Sequence, residues 1–112
     1  EVLAADGTSR SVLRTAALPQ ATKLGVNYPN PFNPTTTIPF DLSSRGPVRL
    51  EVFDILGQRV RTLVADKILN PGQHQIVWLG QDDEGHEVAS GRYFYRLRVG
   101  PLLQSRSLLL LR

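Results

Sequence analysis

An all-β sandwich of short antiparallel strands is the fold class this sequence predicts, and three observations predict it. Short stretches alternate apolar and polar residues with a period of two. Gly, Pro, Asn and Asp punctuate those stretches at close, regular spacing. No stretch repeats its apolar residues at a helical period, and 112 residues suffice for one core with a flanking segment.

Taken in order, residues 1–14 hold two apolar pieces, Val2-Leu3-Ala4 and Val12-Leu13, around the turn-forming Asp6-Gly7. They read as a possible hairpin, either the tail of a preceding domain or an extra edge of this one. Residues 15–24 carry neither period and read as a linker or extended lead-in, so the chain divides into a flanking segment 1–23 and a domain 24–112. Next come Asn27-Tyr28-Pro29-Asn30-Pro31-Phe32-Asn33-Pro34. The prolines fix φ and extend the residues before them, while each Asn can close a turn. This segment is expected to be ordered without being a ladder strand, with Tyr28 and Phe32 pinning it to the core.

Strand signals follow. Residues 36–42 form the first; Pro39 within it predicts an edge strand or a bulge, because proline has no N–H for a ladder. Residues 48–52 place Leu50 and Val52 inward. Asp54-Ile55-Leu56-Gly57-Gln58 turns the chain with Gly57 in the left-handed region, and residues 59–65 return as the partner strand. After the turn at Asn70-Pro71-Gly72, one face of a strand carries His74, Ile76 and Trp78. Gly80 to Gly85 is a polar loop. In residues 92–99, Tyr93, Tyr95, Leu97 and Val99 share the inner face opposite Arg92, Arg96 and Arg98. Gly100-Pro101 turns into a last strand over residues 102–112, where Leu109 and Leu111 are expected to pack inward. About seven strands of this length fit an immunoglobulin-like antiparallel sandwich best.

Composition narrows the function classes. Thirteen basic against ten acidic residues give +3, but the cations interleave with acids and hydroxyls. No basic stripe tracks a phosphate backbone, so nucleic acid is not an expected partner. Cysteine is absent, which removes disulfides and thiolate metal sites. The longest apolar runs, Leu108 to Leu111 among them, are four residues and fall far short of the roughly 18 residues of a membrane span. The sequence begins at Glu1 with no leader, which reads as a cut, any export signal lying upstream in a parent polypeptide.

No catalytic motif emerges. The adjacent acids Asp82-Asp83-Glu84, with Glu87, are spaced for a hairpin loop and not for the alternating oxygen ligands of calcium. His74 and His86, twelve apart, lack the spacing that gathers zinc. The domain is therefore expected to be non-enzymatic and to need no metal or cofactor. Trp78 and the tyrosines could stack on sugar rings, as in a carbohydrate-binding or adhesive module, although their inward alternation points to core packing.

Four successive stretches then resemble a known family. They are residues 27–38 (Asn-Tyr-Pro-Asn-Pro-Phe-Asn-Pro-Thr-Thr-Thr-Ile), residues 52–63 (Val-Phe-Asp-Ile-Leu-Gly-Gln-Arg-Val-Arg-Thr-Leu), Asp82-Asp83-Glu84-Gly85, and Val88-Ala89-Ser90-Gly91-Arg92-Tyr93-Phe94-Tyr95-Arg96-Leu97. Together they look like the type IX secretion system C-terminal sorting domain, type A. They also resemble its relative, the immunoglobulin-like domain of the flagellar hook-capping protein. The closing Ser107-Leu108-Leu109-Leu110-Leu111-Arg112 is similar to that family's apolar, basic-ended terminus, which suggests a native C-terminus. Leu79 departs from the pattern, since relatives carry Asp or Asn before the glycine.

The resemblance implies a secreted or cell-surface protein whose upstream cargo domain is carried across the outer membrane, with this domain as its address. Its partners would be the type IX translocon and a sortase-like peptidase that cuts within residues 15–24. The family motif corresponds here to Asn30, Pro31, Phe32, Asn33, Pro34, Gly57, Trp78, Gly91 and Tyr93. Leu108, Leu109, Leu110, Leu111 and Arg112 would be the sorting signal. A hook-cap type assembly module is the rival that the same resemblance allows.

Overall fold

The computed structural model describes residues 20–112, so the possible hairpin of residues 1–14 lies outside the described residues. Seven strands follow in order: β1 Lys23–Leu24, β2 Thr36–Leu42, β3 Gly46–Phe53, β4 Arg59–Leu69, β5 Gly72–Trp78, β6 Gly91–Val99 and β7 Leu102–Leu110. They build two antiparallel sheets, β1-β2-β5 and β4-β3-β6-β7. The fold is the immunoglobulin-like sandwich that the strand count predicts.

Alternation decides which face each strand buries. Ile38, Phe40 and Leu42 of β2, Val48, Leu50 and Val52 of β3, and Tyr95 and Leu97 of β6 are all almost fully buried. Trp78 closes β5 at 1% exposure, and His74 of the same face stacks on Phe40 with ring centroids 5.2 Å apart. The Tyr95 hydroxyl lies inside this core. It donates to the Gly25 carbonyl at 2.7 Å and accepts from the Asn27 N–H at 3.0 Å, fastening the lead-in segment. Burial pushes that hydroxyl above its ordinary pKa.

Several elements differ from the sequence reading. Lys23 and Leu24, expected as lead-in, pair with Asp41 and Phe40 as β1. A single apolar residue, Leu24, supplies the burial, and one residue has no period to detect. Pro39 lies in the middle strand of its sheet. It is accommodated because its carbonyl accepts from Gly25 while Val26 and Asn27 together oppose the single Ile38 before Tyr28 pairs with Thr37. The expected bulge is thus present, but on the segment facing Pro39.

β4 runs to Leu69, four residues past the expected end at Ala65. Its register slips against β3, and Asp66 adopts φ 54°. Polar residues at a bulge read as a loop in the sequence, but Arg49 of β3 reaches across and holds the Asp66 carboxylate at 2.8 Å. Tyr28 is half-exposed, so of the two aromatic residues of the proline-rich segment it is Phe32 that packs into the core.

In β7 the inward leucines are Leu108 and Leu110, both fully buried, instead of Leu109 and Leu111. A run of four leucines carries no internal phase. Pairing sets it, by placing Leu108 opposite the inward Tyr93 and Leu110 opposite Gly91.

The outer face of the larger sheet carries a charge cluster that the alternation pattern conceals. Glu51 points outward from β3, yet its side chain is only 7% exposed. Arg96 lies opposite it at 3.1 Å, Arg49 approaches to 3.0 Å and Arg59 to 3.9 Å. The Arg96 guanidinium also covers the Phe53 ring at 4.6 Å. Burial alone would raise the Glu51 carboxyl, but hydrogen bonds from Arg96 and Arg49 outweigh it and hold the group below its usual range.

Candidate functional site

Residues scattered over eighty positions of the sequence meet at one end of the sandwich. The start of β2, the ends of β3, β5 and β7, and the starts of β4 and β6 all lie there. Thr36 pairs with Trp78, Phe53 with Phe94, and Gly91 with Leu110. The proline-rich segment crosses from one sheet to the other. Phe32 forms a parallel bridge with Leu110, its N–H donating to the Leu109 carbonyl and its carbonyl accepting from the Leu111 N–H, each at 3.0 Å. Asn30 Oδ1 accepts from the Leu109 N–H at 3.0 Å. This segment therefore covers the last part of the β7 edge.

An aromatic stack lies beneath the crossing. Phe32, 2% exposed, tilts against Trp78 with centroids 5.6 Å apart, and Trp78 meets Tyr93 edge-on at 5.5 Å. Both polar tips are satisfied by the following loop. Trp78 Nε1 donates to the Gln81 carbonyl at 2.8 Å and the Tyr93 hydroxyl to the Ala89 carbonyl at 2.6 Å. Burial raises the Tyr93 hydroxyl pKa. These rings are used inside the fold, and none of the three offers a face for a sugar to stack on.

The loop is shaped by Asp82, whose Oδ1 accepts from the backbone N–H groups of Glu84 and His86, both at 2.9 Å. That backbone contact with His86 is the chief reason its carboxyl sits below the ordinary range. The acidic run is thus turn chemistry, and among the described residues no three His, Asp or Glu side chains gather in a metal-binding group.

Arg112 is clasped by the same loop. Its backbone N–H donates to Ser90 Oγ at 2.8 Å, its Nε to the Val88 carbonyl at 2.6 Å and its terminal nitrogen to the Gly80 carbonyl at 2.6 Å. Glu87 lies 3.7 Å away. Gly80 is needed here: a Cβ on it would fall 2.8 Å from the Arg112 guanidinium and 3.0 Å from the Pro34 carbonyl, at φ 69°.

The sequence-derived residues thus divide. Asn30, Phe32, Trp78, Tyr93 and the run Leu108 to Arg112 form one connected junction, and Gly91 lies in it as the partner of Leu110. Pro31, Asn33 and Pro34 are exposed at its rim. Gly57, at φ 79°, shapes the neighbouring β3–β4 turn, where Asp54 Oδ1 accepts from the Leu56 and Gln58 N–H groups. Gly80, Ser90 and Asn27, which lie outside the sequence-derived set, complete the junction. Asn27 is 2% exposed and donates to Thr36 Oγ1 at 3.0 Å. In the sequence Asn27 stands out only as a member of the proline-rich, family-like stretch, with nothing to mark it as buried.

Fold and junction together define an immunoglobulin-like domain whose closing strand is tied down by a proline-rich crossover. The chain belongs to the family of FlgD Ig-like domains, whose model matches residues 27–99. Among solved structures it is similar in fold to dimeric latent PorU from Porphyromonas gingivalis, with a TM-score of 0.64 and 18% identity over 80% of this chain and 9% of that one. It is also similar to PorZ of the same organism, an essential bacterial surface component of the type IX secretion system. There the TM-score is 0.53, with 16% identity over 83% of this chain and 12% of that one. The chain therefore spans only about a tenth of the length of either solved protein. No curated protein matches it.

Proposed function

We propose that this domain is a non-catalytic sorting module. It directs an upstream cargo protein through the outer membrane to the cell surface by way of the type IX secretion system, with the translocon and a sortase-like peptidase as its partners. The likeness of its fold to that of PorZ, a surface component of that system, supports the setting. The observation that carries the reading is the junction itself. Leu111 stands half-exposed between two anchored neighbours, Leu110 in the core and Arg112 in its clasp. A receptor would meet residues already held in place, which lowers the ordering cost of recognition.

The test uses a fluorescent cargo fused upstream of the domain in a type IX-competent host. Leu111→Glu changes an exposed side chain and leaves Leu108 and Leu110 packed, so the thermal midpoint should hold while surface delivery is lost. Unchanged delivery by every folded variant of Leu111 and Arg112 would remove the sorting role from this segment. Membership of the FlgD Ig-like family favours a second reading, an assembly module of the hook-cap type. Co-purification with hook subunits in place of cargo delivery would select it.

A further inference from the structure

Among the described residues β7 is an edge strand, and only its last part is covered. Leu109 and Leu111 turn their backbone groups away from β6, toward Asn30 and Phe32. The β6–β7 register runs without a shift from Gly91 opposite Leu110 to Val99 opposite Leu102. In an antiparallel ladder the backbone groups of alternate residues face opposite sides. Leu103, Ser105 and Ser107 therefore also present their N–H and C=O groups on the free side, and among the described residues these groups have no hydrogen-bond partner.

This stretch contains no proline and no bulge, its one charged residue, Arg106, is bonded back to the Leu24 carbonyl, and Leu103, Ser105 and Ser107 are exposed. The inner-row side chains fold down onto β1: Gln104 Oε1 accepts from the Leu24 N–H at 2.8 Å, and Arg106 Nε donates to the Leu24 carbonyl at 2.9 Å. Beside them runs a groove of about 460 Å³ lined by Lys23, Leu24, Gln104, Ser105 and Arg106. Among the described residues Lys23 and Arg106 have no carboxylate partner, as is also true of Arg45, Arg61, Lys67, Arg92 and Arg98, whereas Arg49 and Arg59 each have two and Arg96 and Arg112 each have one.

We propose that the free edge of β7 at Leu103, Ser105 and Ser107 docks an extended segment of a partner protein, in which acidic side chains alternate with small or apolar ones. The segment adds as a fifth strand of the larger sheet. Its backbone satisfies the outward groups of β7, and its acidic side chains enter the groove beside Lys23 and Arg106. Its apolar side chains lie along the outer face beside Leu103. Main-chain bonds supply affinity and the alternating side chains supply selectivity. The domain already uses this geometry on itself, since Phe32 pairs with the same edge at Leu109 and Leu111. Incoming backbone would continue that pairing.

Amide hydrogen exchange on the whole chain tests this, with a short peptide alternating valine and glutamate as probe and its valine–lysine counterpart as control. In the free chain the amides of Leu103, Ser105 and Ser107 should exchange far faster than those of Gln104, Arg106 and Leu108. The glutamate peptide should slow the first set by about tenfold or more, which a site more than nine-tenths occupied would produce, and the lysine peptide should not. Ser105→Pro removes an outward N–H without touching the β6 ladder, so it should abolish the effect at an unchanged thermal midpoint. If that variant is destabilised, Arg106→Gln decides, and it should weaken binding about fivefold. The proposal is overturned by odd-numbered amides already protected in the free chain, by equal protection from both peptides, or by none from the glutamate peptide at about millimolar concentration.

Discussion

The guanidinium of Arg112 donates to the carbonyl of Gly80 at 2.6 Å, and the space it occupies exists because residue 80 has no side chain. An alanine there meets two neighbours of different kinds. The Arg112 tip can swing aside, but the Pro34 carbonyl is backbone and cannot easily move. Alanine must also adopt a positive φ. Gly80→Ala should therefore cost about 1–2 kcal/mol in denaturant melts. Arg112→Ala should cost a similar amount, and because both changes open the same clasp, the double variant should lose less than the sum of the two. Strict additivity would mean that the contact contributes nothing.

Trp78 fills the centre of the junction with its N–H bonded to Gln81. Trp78→Ala should cost about 3–5 kcal/mol, as for other buried aromatics. Trp78→Phe keeps most of the packing against Phe32 and Tyr93 but leaves the Gln81 carbonyl without its donor, so about 1–3 kcal/mol should be lost. A loss below about 1 kcal/mol for the alanine variant would place the indole at the surface.

The two inward leucines of β7 separate from their neighbours by the same measurement. Leu110→Ala should cost about 2–5 kcal/mol, whereas Leu111→Ala, at a half-exposed position, should stay within about 0.5 kcal/mol. The reverse order would restore the sequence-based phase of this strand.

That phase error shows where the sequence was legible. Strands with clean alternation, such as Gly91–Val99, disclose both their existence and their inner face, because tyrosine and leucine alternate with arginine. Leu108 to Leu111 offers no contrast, so only the pairing with β6 fixes it. The junction was half legible. Its proline-rich segment and Trp78 stood out by residue type, but the hydrogen bonds from Arg112 to Gly80 and Val88 run between backbone carbonyls and a side chain, and carbonyls leave no mark on a sequence. Glu51 was hidden for a related reason. Outward alternation predicts exposure, and three arginines from three strands bury it instead.

The Tyr95 hydroxyl is a further point of stability without surface exposure. Tyr95→Phe keeps the ring but strands the Asn27 N–H and the Gly25 carbonyl. A loss of about 1–3 kcal/mol should accompany faster exchange of the Asn27 amide. Unchanged exchange at Asn27 would mean that water replaces the hydroxyl fully.

Glu51 sets how the domain responds to acid. Its carboxyl is held below its ordinary range by Arg96 and Arg49 against the opposing effect of burial. A carboxyl depressed in the folded state binds fewer protons there than in the unfolded chain. Its stabilisation is therefore complete above the ordinary glutamate value of about 4.3 and disappears as pH falls through the lower folded value. Asp82, also depressed, acts in the same direction. Glu51→Gln removes the first contribution and leaves Arg49, Arg59 and Arg96 close together without their shared carboxylate. At neutral pH the variant should be less stable than the parent by about 1–3 kcal/mol. Below the window the parent loses its advantage, so plots of midpoint against pH for the two proteins should converge on acidification. Parallel plots across that window would show that the Glu51 cluster does not govern the acid response.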